Sequence, residues 1–144
     1  MPQINTNTEY DSYFWVKWGE GTQDIANNRT YIAWSCGVYC GHTFGTNAIK
    51  MSAFSINGEQ VFAGKTCSDY SKGDHTISSG YMWIRHNDDG TKTFSISPFT
   101  GWLYANHNYS ANATSHTLTT IPRAASITAA PDFKDTDNPT ITYS

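Results

Sequence analysis

The chain has 144 residues, with 9 Lys and Arg against 12 Asp and Glu, a formal net charge of −3, and 15% each of aromatic and charged residues. That length fits one domain with a two-layer core. No Lys/Arg cluster occurs, which argues against nucleic acid as a partner, and no apolar run approaches the length that crosses a bilayer.

The first residues, Met1-Pro2-Gln3-Ile4-Asn5, lack a charged segment followed by an apolar run, so no signal peptide is read there and synthesis in a cytoplasm is expected. Helical periodicity is hard to find, whereas two-residue alternation and turn clusters recur. The first expected strand spans 13–18, with Phe14, Val16 and Trp18 on one face, and ends at Gly19-Glu20-Gly21. A second spans 30–36 and places Ile32, Trp34 and Cys36 inward. A third runs over about 48–56 and closes at Asn57-Gly58, a hairpin signal, before a strand over 59–63.

Residues 63–80, rich in Gly, Ser, Lys and Asp, read as a long loop with at most one short strand near 75–77. Then come an alternating strand over 81–86, the turn Asn87-Asp88-Asp89-Gly90, and a strand over 91–97, together read as a hairpin. An aromatic segment over 99–104 and a final strand over 116–121 follow, with Pro122 closing the last ladder. Seven to eight short strands with regular turns predict an all-β, antiparallel β-sandwich, Ig-like or jelly-roll-like. The module is expected over 1–122, with a linker and the start of a following domain over 123–144.

Three ordered segments carry a likeness to known proteins. They are the Asn-rich approach to Trp34 (Asn27-Asn28-Arg29-Thr30-Tyr31-Ile32-Ala33-Trp34), the set Gly80, Ile84, His86, Asp89, Gly90 and Lys92, and the run from Leu118 to Ala124. Pro131, Phe133, Asp135 and the segment Asn138 to Ser144 continue it. In this order the chain resembles β-sandwich modules of minor structural proteins from the tails of siphophages that infect Gram-positive bacteria. The resemblance implies a virion location at the tail tip or baseplate, other phage tail proteins as partners, and contact with the host surface. It carries no catalytic residues. The Cys36-to-His42 segment is outside the pattern.

Three constellations bear on chemistry. Tyr81, Trp83 and Arg85 share one face of their strand, opposite Met82, Ile84 and His86; Trp102 with Tyr104, and Trp15 with Tyr13, form further alternating pairs. Exposed flat rings beside Arg, Asn and Asp suit a saccharide, because they offer stacking for its C–H face and partners for its hydroxyls. Tyr81, Trp83, Arg85, Trp102, Tyr104 and Trp15 are therefore the candidate ligand-binding residues for host cell-wall polysaccharide. Repeated copies, as a homo-oligomer in the virion, would raise avidity. The alternative is that these rings pack the sheets of a purely structural spacer.

The Asn87–Gly90 turn offers too few oxygens for calcium. Cys36, Cys40, Cys67 and His42 match no strong zinc spacing. The odd cysteine count favours buried free thiols over bridges, although a turn at Gly37 could bring Cys36 and Cys40 together. No cofactor, metal or catalytic residue is expected. No nucleophile elbow, phosphate loop or His-Glu-x-x-His is present, which leaves a cell-wall hydrolase fragment as the outlying alternative.

Overall fold

A computed structural model describes residues 1–123. Beyond Arg123, the expected linker and following segment lie outside the described residues. The described chain contains strands and no helix. In chain order these are β1 (Gln3–Asn5), β2 (Tyr13–Asp24), β3 (Arg29–Cys40), β4 (Ile49–Met51), β5 (Phe54–Ile56), β6 (Glu59–Phe62), β7 (Lys65–Cys67), β8 (Gly73–Arg85), β9 (Thr93–Ile96), β10 (Phe99–Leu103), β11 (His107–Ala111) and β12 (Thr114–Thr117).

One layer is the antiparallel sheet β1-β2-β3-β8. The other consists of two short sheets, β11-β10-β4-β7 and β12-β9-β5-β6. These list the halves of the same strands in the same order, so the second layer is one sheet bent along a line through residues 52–53, 63–64, 97–98 and 112–113. Counted through their bends, the described strands number eight, within the seven to eight expected though not all at the expected positions; the rest of the twelve segments arise from the bend. Serine hydroxyls staple the fold line. Thr100 N donates to Ser52 Oγ at 2.8 Å and Ser52 N to Thr100 O at 2.9 Å. Ser55 N and Ser97 repeat the arrangement at 2.8 and 2.9 Å. Ladder donors thereby keep partners where the pleat breaks.

Alternation in the sequence sets the core. Phe14, Val16 and Trp18 from β2, and Ile32, Trp34 and Cys36 from β3, are all buried against the bent layer. Phe14 meets Tyr109 at 5.3 Å between ring centroids, Trp18 meets Phe94 at 5.1 Å and Trp34 meets Phe54 at 5.6 Å. Each such ring adds about 1.5–3 kcal/mol of burial. Asn57 (φ +53°) and Gly58 (φ +77°) form the expected two-residue hairpin between β5 and β6.

Several expectations are corrected. β2 runs through Gly19-Glu20-Gly21 to Asp24, accommodated by a bulge between Glu20 and Gln23. The expected loop over 63–80 contains β7 and the first half of β8. A register shift beside Cys36 and Gly37 leaves Ile77 unpaired and inverts the in/out phase within β8, which hides the strand from a period-2 search. The segments flanking Asn87–Gly90 are not a hairpin: β8 pairs with β3, and β9 pairs with β5 and β12. The turn carries the chain from one layer to the other. The last strand, β12, covers 114–117 rather than 116–121, and β1 and β11 are additional strands.

The three resembling segments converge around that crossover. His86 N donates to Asn28 O at 2.8 Å, and Asn28 Nδ2 donates to the carbonyls of His86 and Asn87 at 3.2 and 2.8 Å. His86 Nδ1 lies 2.7 Å from Gly90 O and must be the donor, since a carbonyl only accepts; Nε2 lies 2.7 Å from Thr30 Oγ1. Ile121 N donates to the same Gly90 carbonyl at 3.0 Å, and Leu118 N to Lys92 O at 2.9 Å. Gly90 has φ +88°, and a Cβ there would lie 2.0 Å from Ile121 O. Only glycine fits that approach. The motif residues thus lock the crossover to the close of the module.

Candidate functional site

The expected face of β8 is present: Tyr81 is 68% and Trp83 39% exposed, while Met82, Ile84 and His86 are buried. Its rings, however, largely occupy one another. Tyr31 of β3 stacks on Tyr81 at 5.3 Å and 6° and lies against Trp83 at 4.6 Å. The Arg29 guanidinium covers Trp83 at 4.1 Å and is anchored by Asp24 at 2.9 Å. Hydrogen bonds from Asn27 and then Arg29 hold the Asp24 carboxyl below its usual range. Arg85 Nη1 donates to Asn27 O at 3.3 Å. This is a cross-strand ladder that stabilises the sheet, and Arg29 takes one face of its Trp.

Trp15 is only 2% exposed. Its ring packs against Gly37, where a Cβ would come within 2.4 Å of the indole, and its Nε1 donates to Asp74 Oδ1 at 2.8 Å. Lys17 Nζ sits 4.5 Å from its ring. Trp15 is therefore packing rather than a ligand platform, which corrects the expectation that it is exposed.

Trp102 and Tyr104 fare differently. Trp102 stands on the outer face of the bent layer between Lys50 and Asn108, in a shallow groove of about 580 Å3 that Ser52, Thr100 and Ser110 also line. Lys50 Nζ lies over the half-buried Trp102 ring at 4.9 Å but, unlike Arg29, has no carboxylate among the described residues to hold it there, and Trp102 Nε1 donates to Asn106 Oδ1 at 3.4 Å. Tyr104, 68% exposed, stands on the rim of a cleft of about 430 Å3. Tyr10, Phe44 and His107 supply its other rings, and Thr43 and Thr46 its hydroxyls.

The Tyr10 wall is not marked by alternation or by a glycine turn in the sequence. Glu9 and Ser12 exchange backbone hydrogen bonds at 3.1 and 3.0 Å, closing a tight turn with Tyr10 (φ +52°) and Asp11 (φ +54°) in the left-handed region. Aspartate tolerates that conformation, but for Tyr10 it costs on the order of 1–3 kcal/mol. The ring contacts offset it. Tyr10 is sandwiched between His42 (3.9 Å, 20°) and His107 (4.7 Å, 5°), with Phe44 edge-on at 6.1 Å. His107 Nδ1 is 2.8 Å from Glu9 Oε1, and Tyr109 donates its hydroxyl proton to Glu9 O at 2.5 Å. With His42 and His107 stacked on it, Tyr10 lines the cleft and stays 47% exposed, whereas Tyr104 has no ring contact among the described residues. Tyr104 is the ring left open.

The metal and thiol constellations resolve simply. Cys36, Cys40 and Cys67 are buried free thiols. Burial pushes the Cys36 thiol up to about 12 and the Cys40 thiol up to about 11. Among the described residues, no group of three or more His, Cys, Asp or Glu is placed to hold a metal ion. In the crossover turn, the Thr91 hydroxyl and then its N–H bond Asp89 and hold its carboxyl below the usual range. Turn chemistry therefore accounts for this aspartate.

No family model, curated protein or solved structure matches the chain.

Proposed function

We propose that the protein is a non-enzymatic module that binds saccharide of a host cell wall, as part of a phage tail or baseplate. The observation that carries this is Tyr104, an open ring on the rim of a cleft whose lining pairs aromatic walls with threonine hydroxyls. A pyranose would stack its C–H face on Tyr104 and bond its hydroxyls to Thr43, Thr46 and Tyr10. The tail location rests on the motif resemblance, and adsorption would draw on many weak sites acting together. The test is retention of the protein on Gram-positive cell walls: Tyr104→Ala should release it, and equal retention of the variant would overturn the proposal.

A specific observation favours a second reading, that of a structural spacer. Trp15, Trp18 and Trp34 are buried, and Trp83 is covered by Arg29 and Tyr31. A spacer binds walls no better than a Tyr104 variant does.

A further inference from the structure

The cleft and the Trp102 groove are neighbours on one ladder. Trp102 stands opposite Lys50, and on the next outward rung Tyr104 N donates to Ala48 O at 2.9 Å. Lys50 lines the groove and Ala48 the cleft. Two residues of chain, about 7 Å along the backbone, separate the positions of the two rings. Asn106 joins the halves: its Oδ1 accepts from Trp102 Nε1, and its carbonyl accepts from Asn108 Nδ2 at 3.1 Å. The turn that carries Tyr104 is therefore tied to the side chains that frame Trp102. Lys50 and Asn108 give the groove donors for hydroxyl and ring oxygens, and no carboxylate lines it among the described residues.

Resting on the saccharide proposal for the cleft, we infer that cleft and groove are consecutive subsites of one track for a linear polysaccharide. Trp102 is the stacking ring of the second subsite, and Lys50 and Asn108 are its polar contacts. The chain lies along β10 and is held by internal residues rather than by a terminal sugar alone. The fold line beside Ser52 and Thr100 bounds the track at the far end.

The test uses polysaccharide released from Gram-positive cell walls, cut by mild acid and fractionated by length, titrated into the whole protein by calorimetry. Affinity should rise about tenfold or more once a fragment reaches both rings. Trp102→Ala should abolish that gain, and Trp102→Tyr should restore part of it. Tyr104→Ala should weaken every length. A length-dependent gain that survives Trp102→Ala, or affinity flat with length, overturns the track but leaves the cleft standing. Failure of the unaltered protein to bind any fraction overturns the saccharide proposal and the track with it.

Discussion

The guanidinium of Arg29 lies 4.1 Å from the centroid of the Trp83 ring and is held there by Asp24. One face of the ring is thereby taken by a cation of the protein's own sheet. Trp83→Ala should lower stability by about 1–2 kcal/mol through lost ring and cation contacts, while wall binding stays within about twofold. Urea unfolding and wall retention of the same variant check both halves. Unchanged stability with lost binding would return the ligand to the outer face of β8.

The crossover lock should be the most sensitive point outside the hydrophobic core. His86→Ala removes the donor to Gly90 and the partner of Thr30 in a buried setting, at a cost of about 2–4 kcal/mol. Gly90→Ala should destabilise the protein as well, since its new methyl meets Ile121 O. Denaturant midpoints measure both, and near-native stability of either variant would contradict the lock.

How far these features could be read from the sequence follows from what each leaves in the residue order. The inward rows of β2 and β3 and the Asn57-Gly58 hairpin were readable because alternation and turn chemistry are local. The face division of 81–86 was readable for the same reason. Yet the strand that carries it was halved, because the register shift at Ile77 inverts the phase and leaves Ser78 and Gly80 in inward positions. Asn87–Gly90 carries hairpin residues but serves a change of layer, a choice made by long-range partners such as Asn28 and Ile121. Among the candidate site residues, Tyr104 and Tyr81 stay exposed, Trp83 shares its ring with Arg29, and Trp15 is buried against Gly37 with its Nε1 on Asp74. Tyr10 left no signal: its turn contains neither Gly nor Asn at the left-handed positions, and its stabilising partners, His42 and His107, lie far along the chain.

The three cysteines should be silent in the folded protein. With all of them buried and the Cys36 and Cys40 thiols pushed up to about 12 and about 11, a thiol-reactive dye at pH 8 should label the native chain negligibly. It should label all three after unfolding. Rapid native labelling would show that the β3 face opens.

Acidification should weaken the fold through His116. Burial against Trp18 and Phe94 lowers its pKa from the ordinary value of 6.5, so the unfolded chain takes up the proton more readily than the folded one. The effect is absent well above pH 6.5, grows as pH falls through the unfolded value, and levels off below the folded one. The melting temperature should therefore drop between pH 7.5 and pH 5. His116→Phe, which keeps the ring contacts, should flatten that profile, and an unchanged slope in the variant would exclude His116 as its source.

On the proposed function, Tyr104 and its cleft hold a wall saccharide. The most direct test is retention of the unaltered protein and of Tyr104→Ala on purified Gram-positive cell walls, with matched unfolding midpoints. The cleft predicts a loss of about tenfold or more in affinity for the variant. Equal retention of the two proteins, or none by either, would contradict it.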